Sequence, residues 1–258
     1  MIPKTIHYCW FGYNPKPRLA KKCIRSWKRF CPDYEIIEWN ERNYDLSSAP
    51  LFVRQAYEAG KWAFVTDYVR LWTVYNFGGL YFDTDIRLIR IPDELLKNKA
   101  FFAYEQGGRI ATGLGFGAEK GTGILRELMS TYENIPFVLN DGTCDLTVCG
   151  ARDTEIFRKY GFESKDEFQN IYGAIIYPSE YFCTSIWNPK TDNTYTFSEY
   201  SGSWRNPKDV KKDKRELRIQ KCRMVAHFII HFPNKLIQRL IGKNKYEKLK
   251  KTLKKERK

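Results

Sequence analysis

The sequence predicts an α/β domain built on a parallel sheet, and three observations carry that expectation. A strand, a helix and a second strand follow one another over the first forty residues. Further on, a long apolar helix stops at a Gly-Gly pair that leads straight into another apolar strand. Hydrophobic residues make up 43% of the 258-residue chain and aromatic ones 16%, which is globular composition with enough apolar mass for a sizeable core. A strand-helix-strand opening favours parallel pairing with helices on the sheet faces.

The first strand is "KTIHYCWFG", ending at Gly12. A loop and a helix follow in "NPKPRLAKKCIRSWKRFCPD", the helix stopping near Pro32, and "YEIIEWN" is the second strand. Residues 50–60 read as a helix ending at Gly60. The next helix, "KWAFVTDYVRLWTVYNF", ends at Gly78-Gly79, a natural C-terminal stop. "LYFDTDIRLIRI" reads as one strand running to Pro92, its second half alternating apolar and polar residues. Beyond it "AFFAYEQ" and "GLGFGAE" are expected as short strands, "TGILRELMSTYE" as a helix and "AIIYPSEYF" as a late strand. No repeat or low-complexity linker interrupts residues 1–204, so one compact domain is expected there.

The formal charge of +14 sits at one end of the chain. From Arg205 to Lys258 there are 20 Lys and Arg against 5 Asp and Glu, a net of +15, which leaves residues 1–204 at about −1. Residues 205–258 are therefore expected as a basic, helical C-terminal extension, with Leu236, Leu240, Tyr246, Leu249 and Leu253 at roughly helical spacing. Seven cysteines (Cys9, Cys23, Cys31, Cys144, Cys149, Cys183 and Cys222) make an odd number with no C-x-x-C pair, which suggests a reduced, cytosolic setting. "MIPKTIHYCWFG" lacks the charged-then-apolar order of a secretory signal. "MVAHFIIHF" is far shorter than a bilayer span, so an integral membrane protein is not expected. His227 and His231 are four apart but have no third ligand beside them, and with His7 they read as structural. No nucleophile elbow, P-loop or G-x-G-x-x-G is present, so phosphoryl transfer and nicotinamide chemistry lack support.

Within "GGLYFDTDI" two carboxylates, Asp83 and Asp85, are separated by one residue. In an extended strand residues two apart point the same way, and the C-terminal ends of strands in an open α/β sheet are where ligands bind. Adjacent carboxylates raise each other's pKa unless a cation neutralises them; a hard divalent ion does so and leaves positions open for a diphosphate. The plain alternative is a charged surface turn, where Asp is common. Between Trp62 and Phe77 the only charged residues are Asp67 and Arg70, three apart and so on one face of an otherwise apolar helix. Charges in a buried helix are either paired with each other or directed at a ligand.

The ordered stretch "FVTDYVRLWTVYNFGGLYFDTDI" resembles the core signature of glycosyltransferase family 32, the D-x-D sugar transferases. "IPKTIHYCWFG", "CPDYEIIEWNERN" and the "GSW" of Gly202 to Trp204 are similar to that family's opening strand, second strand and closing motif, so the resemblance spans about residues 1–204. It implies a GT-A-type, Rossmann-like fold with a mixed, mainly parallel central sheet, and a catalytic role for Asp67, Arg70, Asp83 and Asp85. Trp10 would stack on the nucleotide base, against the alternative of simple core packing. Asp67 and Arg70 would bind the donor sugar and its diphosphate, Tyr81 would sit near the donor, and Ser203 and Trp204 would close over the diphosphate. Asp83 would contact the ribose or a metal-bound water, and Asp85 would coordinate Mn²⁺ or Mg²⁺. Where many bacterial members carry a His-His pair this chain has Ser198-Glu199; Glu199 is a hard oxygen donor suited to the metal, or else an exposed strand residue.

The function so implied is metal-dependent, retaining transfer of a hexose from a nucleotide diphosphate sugar to a glycan in polysaccharide (capsule or lipopolysaccharide) biosynthesis. A UDP-sugar is favoured over GDP-mannose, and loops such as Gly107 to Gly117 would discriminate between them. The expected setting is cytoplasmic, with a lipid-linked acceptor and the basic tail on the anionic inner face of the plasma membrane; no nucleic-acid partner is expected. The competing reading is a non-catalytic adaptor whose Lys-rich tail binds anionic membrane or nucleic acid.

Overall fold

The computed structural model describes residues 1–105, 107–182, 190–199, 219 and 241–255. The chain divides into two compact units, Met1–Trp204 and Arg205–Lys258.

In the first unit β1 (Thr5–Cys9), α1 (Arg18–Phe30) and β2 (Glu35–Trp39) form the expected opening, with β1 and β2 parallel and Thr5 opposite Glu35. α2 (Leu51–Glu58) and α3 (Trp62–Phe77) follow, and β3 (Gly79–Tyr81) joins the free side of β1, also parallel. β4 (Ile86–Leu88), β5 (Ala100–Glu105), β6 (Arg109–Ile110) and β7 (Phe116–Ala118) come next, then α4 (Gly123–Glu133) and α5 (Cys149–Lys159). The unit continues with β8 (Gln169–Ile171), β9 (Ala174–Tyr177), α6 (Ser179–Phe182) and β10 (Thr196–Ser198).

The main sheet has the order β2-β1-β3-β7-β5-β9-β8, with β6 paired to β5. β7 runs antiparallel to both β3 and β5, and β8 is antiparallel to β9, while β5 and β9 are parallel. The sheet is thus mixed and mainly parallel in strand direction, as the sequence predicts. Alternation along the strands feeds a core on each face: Leu80, Phe82, Phe101 and Ala103 pack with Trp27 and Cys23 of α1. Tyr81, Phe102 and Tyr104 instead join the cluster that holds Val65 and Val69 of α3 and Leu125 of α4.

Two expectations need correcting. "LYFDTDIRLIRI" is not one strand: β3 ends at Tyr81, and β4 leaves the main sheet to pair antiparallel with β10. Between them the Ile86 N–H donates to the Asp83 carbonyl at 2.9 Å, so Asp83 to Ile86 is a hydrogen-bonded turn and the D-x-D lies in it. "AIIYPSEYF" stops being a strand at Tyr177, because Pro178 has no N–H for a ladder, and the rest is the short helix α6. In the second unit α7 (Lys243–Lys255) is helical, with Tyr246 buried and Ile241 and Leu249 packed on it. Ser203, Trp204, His227, His231, Leu236 and Leu240 lie outside the described residues.

Gly78 and Gly79 set the entry to β3. Both have positive φ, at 69° and 112°, and a Cβ on Gly79 would stand 2.8 Å from the Thr5 carbonyl oxygen and 3.1 Å from His7 Nε2. That space lets fully buried His7 donate from Nε2 to the Gly78 carbonyl at 2.8 Å, while Nδ1 accepts from Trp39 Nε1 at 3.1 Å. Burial pushes the imidazole pKa down to about 4, against which the Gly78 carbonyl acts weakly. Because the folded pKa lies below the unfolded one, His7 contributes stability that is complete above about pH 6.5 and is lost as pH falls toward 4. We expect this to amount to about 3 kcal/mol. Urea midpoints from pH 7 to 4 should show the loss in the wild type, and a His7→Gln variant should lack that component of the pH slope.

Candidate active site

α3 carries its two charges inside the protein: Asp67 is 7% and Arg70 4% exposed. A guanidinium there must satisfy its donors locally, since leaving them bare in an apolar surround costs several kcal/mol. Arg70 Nη2 lies 2.8 Å from Asp67 Oδ1 and 3.5 Å from Asp83 Oδ1. Its Nε donates to the Thr66 carbonyl at 3.1 Å, Nη2 also reaches Thr66 Oγ1 at 3.3 Å, and Nη1 points to Cys149 Sγ at 3.8 Å. The guanidinium also lies 5.3 Å from the Tyr81 ring centre, and the Tyr81 hydroxyl donates to Asp83 Oδ1 at 3.0 Å. The internal pair, one of the two alternatives the sequence left open, is present, and Asp67, Arg70, Asp83 and Asp85 all line one cleft of about 360 Å³.

One of the cleft's other walls is a segment the sequence did not single out. α5 begins at it with Cys149 and Gly150, after Val148. Ala111, Gly113 and Leu114, within the Gly107 to Gly117 segment expected to discriminate sugars, form another wall. A Cβ on Gly113 would sit 2.6 Å from Asp83 Oδ2 and 3.2 Å from Arg70 Nη1, so only glycine lets this backbone approach the pair. Thr112 anchors the segment by donating from Oγ1 to Asp153 Oδ2 of α5 at 2.8 Å. Asp153 is 1% exposed, and burial pushes its pKa up to about 7. The inward positions of α5 at helical spacing are Gly150, Asp153, Thr154 and Phe157, mostly small or polar, which is why apolar periodicity did not reveal the helix.

Burial also pushes the Asp83 carboxyl up to about 6; Arg70 opposes this and Asp85 adds to it. Asp67 is raised by burial too, with Arg70 working against the shift. Two carboxylates facing one cleft, one held above its ordinary range, are a donor set chemically suited to a hard divalent cation. Glu199 reaches the same corner through its backbone, its N–H donating to the Asp85 carbonyl at 2.9 Å. Its Oε1, however, is engaged by Lys22 Nζ at 3.0 Å and Arg87 Nε at 3.2 Å. Among the described residues no three His, Cys, Asp or Glu side chains are grouped as a metal site. Trp10 follows β1 half-buried, its indole N–H donating to the Asn14 carbonyl at 2.6 Å, and it does not line the cleft.

Residues 17–102 match the family model described as a glycosyltransferase sugar-binding region containing a DXD motif. A curated relative, inositol phosphoceramide mannosyltransferase 3 of Schizosaccharomyces pombe (strain 972 / ATCC 24843), is 32% identical over 104 residues. That alignment takes in 39% of this chain and 29% of the relative, so the chain spans under a third of the relative's length. Among solved structures, the PaToxG glycosyltransferase aligns with a TM-score of 0.44 at 16% identity, over 61% of this chain and 68% of that one. A glycosyltransferase involved in the glycosylation of the major capsid of PBCV-1 aligns with a TM-score of 0.42 at 12% identity, over 75% and 94%.

Two outcomes test the electrostatics. With its folded pKa raised, Asp83 costs stability that appears as pH rises from about 4 to 6. Asp83→Asn should therefore be more stable than wild type at pH 8 by about 1–2 kcal/mol, after allowing for a side chain one-third exposed, with no such advantage at pH 4. Gly113→Ala should lower the urea-derived stability by about 1–3 kcal/mol through overpacking against Asp83.

Proposed function

We propose, from the premise that residues 17–102 belong to the family of glycosyltransferase sugar-binding regions containing a DXD motif, that this chain moves a hexose from a nucleotide diphosphate sugar to a glycan hydroxyl. The observation that carries the reading is convergence. Asp67 and Arg70 from α3, and Asp83 and Asp85 from the turn after β3, meet at one cleft that Gly113 keeps open. We read the α/β fold as GT-A type, and the cleft beyond the C-terminal end of β3 is where such a sheet takes its ligand.

In this reading Asp83 and Asp85 would hold Mn²⁺ or Mg²⁺, and Glu199, which here pairs with Lys22 and Arg87, is the third candidate donor. The bound ion supplies charge neutralisation to the diphosphate oxygens. Arg70, fixed by Asp67 and Thr66, keeps Asp83 in place and offers positive charge toward the departing diphosphate. Asp67 accepts from the sugar hydroxyls and Tyr81 orients Asp83 through its hydroxyl. Trp10, outside the cleft lining, would meet the base only beyond the cleft's edge, and Ser203 and Trp204 lie outside the described residues and are carried as diphosphate contacts by the motif resemblance alone.

The bond from the sugar's anomeric carbon to the diphosphate oxygen breaks with its electron pair going to that oxygen. The acceptor hydroxyl bonds to the same face, and its proton passes to the departing phosphate, so configuration is retained. No carboxylate is assigned as a glycosidase-type nucleophile.

A UDP-sugar is the favoured donor. GDP-mannose is the alternative, which the mannosyltransferase name of the fission-yeast relative supports. The acceptor is placed in polysaccharide assembly, on a lipid carrier, with the basic tail on the inner leaflet. No helix among the described residues is long and apolar enough to cross a membrane.

A donor-hydrolysis screen across nucleotide sugars, run with Mn²⁺ and with chelator, should give metal-dependent release of one nucleotide. Asp85→Ala and Asp83→Ala should each lower it at least 10³-fold, with the fold kept by circular dichroism. Turnover near wild type in either variant, or release unaffected by chelator, overturns the assignment.

A further inference from the structure

We infer that the exposed face of α1 is a docking surface for anionic lipid headgroups. α1 carries Arg18, Lys21, Lys22, Arg25, Lys28 and Arg29 with no acidic residue in its 13 positions. All six are exposed, while Ala20, Cys23 and Trp27 face the core. Arg18 and Lys22, Lys21 and Arg25, and Arg25 and Arg29 are like-charge pairs four apart, each destabilising to an isolated helix. Arg18 and Lys21 also oppose the positive end of the helix. Of the six, only Lys22 has a carboxylate partner among the described residues. Residues 1–204 total about −1, so the rest of that unit is near −7 and its charge is polarised toward this helix.

Such a face is stabilised by an external polyanion. A lipid surface fits it better than a nucleic acid, because α1 is wired to the mouth of the cleft. Trp27 Nε1 donates to the carbonyl of Ile86, the residue after Asp85, at 2.9 Å, and Ser26 Oγ accepts from the Leu88 N–H at 3.0 Å. Lys22 holds Glu199, whose backbone is bonded to Asp85. A surface seated on α1 would therefore lie beside the opening, within reach of an acceptor carried in that surface. Binding itself depends only on the charge of the face and is independent of the sugar-transfer reading.

The test uses the full chain with vesicles of phosphatidylcholine alone or with 30% phosphatidylglycerol. The comparison is between wild type, Lys21→Gln/Arg25→Gln/Lys28→Gln/Arg29→Gln, a tail variant with Lys248, Lys250, Lys251 and Lys254 changed to Gln, and a body control with Arg54, Lys97, Lys99 and Lys120 changed to Gln. A cation at an anionic surface contributes about fivefold to partitioning. The α1 variant should therefore lose roughly 600-fold in affinity for the anionic vesicles, and the body control less than threefold. Vesicles should also slow hydrogen exchange in residues 18–30 of the wild type. Binding by the α1 variant within threefold of wild type overturns the proposal, as does unchanged exchange in residues 18–30. So does an equal loss in the body control, which would mean net charge alone. Capture of a 40-base DNA by this face without vesicle binding would assign it to nucleic acid instead.

Discussion

The Arg70 guanidinium is the contact on which the site's arrangement depends. It lies almost wholly out of water between Asp67 of its own helix and Asp83 of the turn after β3. Removing such a cation leaves buried Asp67 and partly buried Asp83 without a counter-charge. α3 tolerates its two charges because it is otherwise apolar and packed into the core. Gly78 and Gly79 then turn the chain so that β3 brings Asp83 to the guanidinium.

A raised Asp83 pKa follows from the same geometry. The carboxyl sits where burial and Asp85 oppose ionisation and Arg70 favours it, with burial the largest cause. In the proposed reading, a cation bound at Asp83 and Asp85 would relieve that unfavourable charge. Stability and ligand affinity then trade against each other at one residue.

Much of this was legible in the sequence because its signals were local. The charges of α3, its Gly-Gly stop and the D-x-D lie within nineteen consecutive residues, and their joint position needed only helical and strand periods. What escaped was set by long-range contacts. Gly113 reads as one glycine among several in "ATGLGFG", and its proximity to Asp83 depends on Thr112 being tied to Asp153, 41 residues away. The D-x-D read as strand because apolar residues flank it on both sides; its departure into a turn depends on β10, over a hundred residues later. Glu199 bonds to Asp85 through its backbone N–H, and the engagement of its side chain with Lys22 and Arg87 could not be read from spacing.

The small ribbon of β4 and β10 has a consequence for how the two acidic residues can change. Asp83 is held from the side of the main sheet, by Tyr81 and Arg70, whereas the far end of the turn is held by Trp27 and Ser26 of α1 and by β10. The turn is thus a joint between two supports, and Trp27 touches both, since its ring also lies 6.0 Å from that of Phe82 beside Asp83. A change at Trp27 would therefore reach both carboxylates at once, whereas a change at Ser26 or Tyr81 would start from one end of the turn.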